Sequence, residues 1–287
     1  MRRILSLLLI LTSFLGLFSF CSANETAAAP VVMVCLNAGK ADCILLQIEN
    51  HYYLVDTGYK RSSELLLEML EHEGVTRLSG VFLTHNHKDH YGGLTALVAS
   101  SIPIDAFYAP EFCIDGTDSK HPMVIAAAKR GQTVRFLKSG DSIKVSEESC
   151  FSILGPVALD ANNENNNSLV MRLETSDGNI LLTGDMKFEE EYQLISAGLL
   201  TRADVLKVSF HGDNTATSDS FLSIVKPRIG IISTSSKEEK DTPSKDTLYR
   251  LASVGCRVYV TQDAESAVRV ELSDGNISVS MENWNQD

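Results

Sequence analysis

The segment Val81 to Gly93 constrains this chain more than any other. It opens as a short apolar strand, Val81-Phe82-Leu83, places His85, His87, Asp89 and His90 within six positions, and continues into Tyr91-Gly92-Gly93. A buried strand that ends in four ligand-type side chains delivers them all to one spot. Residues two apart in such a turn converge on one ion, and the adjacent Asp89 and His90 point to a second one nearby. A polar loop with accidental histidines does not concentrate imidazoles this way. Gly92 and Gly93 are expected to let the backbone turn sharply under the ligands before a helix over residues 94–99.

Around this segment the chain alternates short β-branched runs with helical periodicity. Strands are expected at 31–36, 43–48, 52–55, 81–83, 104–108, 133–137, 151–154, 169–173 and 179–182, and again at 205–209, 229–233, 257–261, 267–272 and 277–280. Leu65, Leu66, Met69 and Leu70 recur at helical spacing before Gly74, and further helices are expected over 188–196, 218–225 and 244–254. Proline and glycine fall singly between elements, so no interdomain linker is marked. Two strand-rich halves, each with helices, predict an α/β chain with two sheets flanked by helices.

The N-terminus follows other rules. Arg2 and Arg3 precede an apolar run from Ile4 to Phe20, and Cys21-Ser22-Ala23 offers small residues for cleavage. Residues 1–23 read as a bacterial-type signal peptide, 24–30 as a linker and 31–287 as the folded domain. An uncleaved anchor is the alternative, since the run is only slightly short for a membrane span. Cleavage would leave the chain secreted or at the cell surface, with no stable membrane insertion, and would take the net charge from −12 to −14. That acidity argues against tight, non-specific binding of long nucleic acid. The basic cluster Lys129, Arg130, Arg135 and Lys138 reads as a solvated face, with a local anion groove as the alternative. Five cysteines would remain, none in a CxxC pair, which argues against a cysteine zinc site. Cys35 and Cys43 are the one close pair, and a disulfide or buried free thiols are both open.

The motifs resemble those of the metallo-β-lactamase superfamily. Thr84-His85-Asn86-His87-Lys88-Asp89-His90 is similar to its HxHxDH signature, Val55-Asp56-Thr57-Gly58 to its DTG strand end, Leu181-Leu182-Thr183-Gly184-Asp185 to its TGD strand end, and Leu206-Lys207-Val208-Ser209-Phe210-His211-Gly212 to its LKV-HHG segment. Within the superfamily the likeness is to ComEC-type competence-protein hydrolase domains. Asn37-Ala38-Gly39-Lys40-Ala41-Asp42 resembles their VGQGD opening and Asn166-Asn167-Ser168-Leu169-Val170 their NNSLVL stretch. The resemblance covers roughly residues 32–274 and implies the αβ/βα four-layer sandwich, two mixed sheets between helical layers.

It also implies a ligand set. His85 and His87 would hold one ion, Asp89, His90 and His211 a second, and Asp185 would bridge them; Asp89 and Asp185 would be catalytic. Asp56 would orient ligand histidines through hydrogen bonds, although aspartates beside glycines also serve plain turn chemistry. Where many members carry a histidine ahead of the TGD strand, this chain has Asn166 and Asn167, supporting residues or weak amide ligands. Phe210 replaces the first histidine of HHG, Asp213 a usual serine, and Thr242 a late histidine before Pro243. His51, His72 and His121 lie outside the motifs and are expected to be surface or capping residues. The implied cofactor is one or two Zn2+ ions, with Mn2+ the alternative. The implied activity is metal-assisted hydrolysis of a phosphodiester by an activated water, the partner being nucleic acid or a cell-wall polymer. A β-lactamase or lactonase, and a decayed site that only binds metal or ligand, are the other readings.

Overall fold

Strand β1 (Val31–Leu36) is buried along its whole length. Val31, Met33 and Cys35 enter one apolar cluster while Val32, Val34 and Leu36 enter another. Because successive strand residues point to opposite faces, such a strand needs cover on both sides. The computed structural model, which describes residues 30–284, shows what supplies it. The expected signal peptide, 1–23, and the linker up to residue 29 lie outside the described residues.

From β1 the chain continues through β2 (Ile44–Ile48), β3 (His51–Val55), β4 (Gly80–Phe82), β5 (Phe107–Pro110) and β6 (Val134–Leu137). It then forms β7 (Ser142–Lys144), β8 (Cys150–Gly155), β9 (Val170–Thr175), β10 (Gly178–Leu182), β11 (Val205–Lys207), β12 (Ile229–Ile232) and β13 (Arg257–Val260), and closes with β14 (Ala267–Ser273) and β15 (Asn276–Glu282). Eight strands make one sheet, in the order β15-β14-β1-β2-β3-β4-β5-β6, and seven make the other, β13-β12-β11-β10-β9-β8-β7. Both are mixed: β1, β2 and β3 pair antiparallel and β3 to β6 parallel, while β8 to β10 pair antiparallel and β10 to β13 parallel.

The inner faces of the two sheets interdigitate through residues such as Met33, Leu46, Phe82, Phe151, Met171 and Leu182. Helices α1 (Ser63–His72), α2 (Lys88–Tyr91), α3 (Leu94–Ala99) and α4 (Pro122–Lys129) follow strands of the first sheet. Leu66, Met69, Leu97, Val98 and Met123 seal its outer face. Helices α5 (Phe188–Ser196), α6 (Asp219–Val225) and α7 (Lys245–Ser253) do the same for the second sheet through Leu194, Phe221, Leu222 and Leu251. The layers therefore run helix, sheet, sheet, helix, the four-layer sandwich that the motifs imply.

Several elements depart from expectation: strand β7 and helix α2 were not expected at all. Helix α4 had no place in the strand-rich reading, yet it carries Pro122 in its first turn and a His121 cap, both ordinary helix-start signals. The strand expected from Ile104 begins only at Phe107, Ile104 making an isolated bridge to Leu78. All five cysteines among the described residues are free thiols, Cys35 and Cys43 included. No helix among the described residues is long and apolar enough to cross a membrane.

The topology sets where the chemistry lies. The parallel pairs β3/β4 and β10/β11 end at one rim, and the loops leaving them carry Asp56, His85, Asp185 and His211. Carboxyl ends of parallel strands are the usual place for a site in such sheets.

Candidate metal centre

The loop after β4 is shaped by Asp56, which the left-handed backbone at φ 59° turns beneath it. Its Oδ1 accepts the Thr84 N–H at 2.8 Å, and its Oδ2 accepts the Thr84 hydroxyl at 2.7 Å and pairs with His90 Nδ1 at 2.8 Å. One fully buried carboxylate thus fixes both the strand end and the ring of His90, leaving Nε2 facing the centre. Gly92 and Gly93 do not serve the sharp turn expected of them: both have right-handed helical angles. What they provide is closeness, since a Cβ on Gly92 would collide with the Lys60 and Tyr59 backbone and one on Gly93 with the Thr57 carbonyl.

Around this support the expected ligands converge on two adjoining points. Asp185 Oδ2 stands 3.3 Å from His90 Nε2, 3.4 Å from His211 Nε2 and 3.7 Å from His85 Nε2. Asp89 Oδ2 lies 3.4 Å from His211 Nε2 and 3.8 Å from His90 Nε2. His85 Nε2 and His87 Nδ1 face each other at 2.9 Å. Asp89, His90, Asp185 and His211 form one group, and His85, His87 and Asp185 a second, with the donor atoms of each group within 4.8 Å of one another. Asp185 belongs to both. His85, His90, Asp185 and His211 are buried, whereas His87 and Asp89 are half-buried and mark the open side.

The donor set suits divalent cations. His90 Nε2, His211 Nε2 and Asp185 Oδ1 are buried without a hydrogen bond among the described residues, an arrangement that ordinarily costs about 1–3 kcal/mol per group. Burial alone would raise the Asp185 carboxyl, yet the imidazoles of His211 and His90 hold it well below the usual carboxylate range. Burial likewise opposes charge on His90 and His211, yet Asp185, with Asp56 for His90, keeps His90 well above the usual histidine value, and Asp185 with Asp89 and Asp42 brings His211 to about 9. The negative field that favours the charged form of both imidazoles is the field a metal cation would meet in the place of their protons.

His211 reaches the centre at a conformational cost. Phe210 (φ 46°) and His211 (φ 54°) are consecutive left-handed residues, a conformation unfavourable by about 1–2 kcal/mol for each. Gly184 O receives the Phe210 N–H at 3.2 Å, and Ser233 O lies 2.9 Å from His211 Nδ1. Behind the ring, Asp42 Oδ1 lies 3.8 Å from Nδ1, and Asp42 Oδ2 pairs with Lys207 Nζ at 2.9 Å.

Asn166 and Asn167 are occupied elsewhere. The Asn166 amide oxygen accepts the Lys187 N–H at 3.1 Å and its Nδ2 donates to Asp160 Oδ2 at 2.8 Å. The Asn167 oxygen accepts the Asp160 N–H at 2.8 Å, and its amide donates to Asp160 O and Glu164 Oε2. These bonds make both residues clasps of the loop before β9, the supporting role of the two read from the sequence. Thr242 pairs with Thr234 through their hydroxyls at 2.7 Å, and Asp213 accepts from Thr215. His121 is buried and caps α4 through the Met123 N–H, His51 meets the Ser79 hydroxyl, and His72 stacks on Trp284. Arg130 spends its guanidinium on the carbonyls of Leu97, Ser100 and Ile102, which breaks up the basic cluster read from the sequence. Lys129 instead joins Lys60, Lys88 and Lys120 around a cavity of about 650 Å³ on the outer side of α2.

Sequence reasoning missed Lys207, Ser233, Thr84 and Ser168, whose hydroxyl accepts the Asp185 N–H at 3.1 Å. Thr84, Ser168 and Lys207 stand inside the quoted motifs without a role read for them, and Lys207 left a further signal as a lysine inside an apolar strand run.

The model of the metallo-beta-lactamase superfamily matches residues 36–236, more than half of the chain. ComE operon protein 3 of Bacillus subtilis is 28% identical over 222 residues, covering 77% of this chain and 28% of that protein. Competence protein ComA of Neisseria gonorrhoeae is 27% identical over 245 residues, covering 84% of this chain and 32% of its own length. The chain thus spans about a third or less of these relatives. Among solved structures, the metallo-beta-lactamase fold protein YhfI from Bacillus subtilis superposes with a TM-score of 0.52 at 13% identity, over 88% of this chain and 100% of that one. Tm1679, a metal-dependent hydrolase of the beta-lactamase superfamily, gives 0.52 at 14% identity, over 86% and 100%. At such identities the structural likeness speaks to the fold.

Proposed function

The chain belongs to the metallo-β-lactamase superfamily and is a metal-dependent hydrolase of ComEC type, and from that premise we propose that it is an exported phosphodiesterase acting on nucleic acid or on a cell-surface phosphodiester polymer. The observation that carries this reading is the membership of Asp185 in both ligand groups. A carboxylate so shared is how a protein holds two cations side by side. Such a pair supplies an acidified water and a Lewis-acid clamp suited to in-line displacement at phosphorus.

The residues of the chain have distinct tasks in this reading. His85, His87 and Asp185 would hold one ion, and Asp89, His90, His211 and Asp185 the other. Zinc is the first choice for an imidazole-rich set. The first group has only two imidazoles and a carboxylate, which makes manganese the second choice. Asp56 holds the His90 Nδ1 proton, so that Nε2 is the free donor. Asp89, which is half-buried, would orient the attacking water by accepting a hydrogen bond through its carboxylate.

Nucleic acid as substrate is supported by two relatives, named a competence protein in Neisseria gonorrhoeae and a recombination protein in Haemophilus influenzae. The net charge of −12 favours a short or locally gripped substrate over a long duplex. The apolar N-terminal run supports export. Metal analysis of purified protein, paired with turnover of bis(p-nitrophenyl) phosphate, tests the proposal. One to two ions per chain and hydrolysis with added zinc or manganese are expected. Less than one ion per chain with no turnover under either metal would overturn it.

A further inference from the structure

Two departures of this chain from the family motifs, Phe210 and Asn166, meet through Lys187. Phe210 stands where a histidine was expected, and two ammonium groups sit on its ring: Lys187 Nζ 4.8 Å and Lys40 Nζ 5.6 Å from the centroid. Each of the three residues comes from a loop that also supplies the centre. Lys187 follows Asp185 by two positions, Lys40 precedes Asp42 by two, and Phe210 precedes His211, with ring centroids 6.3 Å apart. All three are half-buried, as are His87 and Asp89 among the candidate ligands.

We propose that Lys40 and Lys187, gathered on Phe210, form an anion clamp at the mouth of the metal centre that grips the phosphodiester oxygens of the substrate. The proposal rests on the phosphodiesterase reading for its ligand, and its test separates the two. An aromatic face attracts ammonium groups and, partly dried, holds them more firmly than water would. Two like charges on one ring repel each other, and an anion between or beside them relieves that repulsion. Lys187 has no carboxylate partner among the described residues, and Lys40 has the half-exposed Glu239 at 3.6 Å. Asn166 is part of the device: its amide oxygen holds the Lys187 N–H, fixing the backbone from which the side chain reaches Phe210. In a chain of net charge −12, a local pair of cations is what lets an anionic ester approach a centre lined by Asp89 and Asp185.

Lys187→Met and Lys40→Met keep the apolar stems on the ring and remove only the charge. The probes are dimethyl phosphate and neutral trimethyl phosphate for equilibrium binding to the metal-loaded protein, and bis(p-nitrophenyl) phosphate for turnover. Each variant is expected to weaken dimethyl phosphate binding about fivefold and the double variant more than tenfold, with trimethyl phosphate unaffected. The loss in turnover should fall mainly on KM, metal content should stay at the wild-type value, and Lys187→Arg should recover binding to within about twofold. A double variant that binds dimethyl phosphate as wild type does overturns the clamp, and if the wild type hydrolyses the diester the phosphodiesterase reading survives it. Lysine-dependent binding of dimethyl phosphate without any turnover supports the clamp and counts against the phosphodiesterase.

Discussion

Asp42 and Lys207 meet at 2.9 Å beneath His211, with each side chain only 1% exposed. The lysine comes from β11 and the aspartate from the turn between β1 and β2, so the pair ties the two sheets together behind the centre. Lys207 also donates to Val208 O at 3.1 Å. Removing one partner leaves an uncompensated buried charge, which costs about 3–5 kcal/mol, whereas neutralising both together costs far less. Lys207→Met is therefore expected to lower stability to urea by that amount, and Asp42→Asn with Lys207→Met to recover most of it. A single variant within about 1 kcal/mol of wild type would show that the pair is solvated more than its burial implies.

Asp56 reaches the metal only through His90, so its replacement separates support from ligation. In Asp56→Asn the amide oxygen still accepts the Thr84 N–H, but an amide NH2 directed at His90 cannot accept from Nδ1. The His90 proton is then free to move to Nε2, the atom that faces Asp185. Metal affinity is expected to fall about 10- to 100-fold, read by competition with a chromophoric chelator, while the thermal midpoint of the metal-free protein moves by a few degrees. Unchanged affinity would return Asp56 to plain turn chemistry.

Two substitutions of buried residues near and far from the centre should part cleanly. Asp185→Ala removes the carboxylate common to both ligand groups, and is expected to leave at most one ion per chain and no turnover. His121→Ala removes a helix cap whose Nδ1 accepts the Met123 N–H at 3.3 Å. It should cost about 1 kcal/mol of stability and leave metal content and turnover alone. Equal activity in the two variants would refute the ligand assignment.

The contrast between these residues shows what the sequence made legible. His85 to His90 are local: a strand end and four ligand types in one short run encode their own convergence. The β1 strand was legible for the same reason, since six consecutive apolar residues demand cover on both faces. Asp185 and His211 are distant in sequence and became legible through the resemblance of their strand ends to family motifs. Asp42 with Lys207, and Lys40 with Lys187, were not legible as pairs, because opposite or like charges far apart in the chain carry no periodicity that announces contact. Asn166 was open for a chemical reason: an amide offers both a ligand oxygen and a backbone clasp, and only the fold shows that it bonds Lys187 and Asp160.

Glu190 supplies a prediction about pH that is independent of the centre. It lies on α5 and is fully buried, with the Ser168 backbone opposing the effect of that burial and Glu191 and Asp160 adding to it. Burial pushes its carboxyl well above the usual value, so the folded chain holds the proton more tightly than the unfolded one. The sign follows: its contribution to stability is fully present below the unfolded value of about 4.3 and is lost as pH rises through the higher folded value. Glu190→Met keeps the volume and removes the titration. Urea midpoints at pH 4, 6 and 8 should show the variant close to wild type at pH 4 and increasingly more stable above it, by about 1–3 kcal/mol at pH 8. If the two proteins keep a constant difference across that range, the Glu190 carboxyl is ionised in the folded chain and its charge is compensated by groups that its buried position on α5 does not reveal.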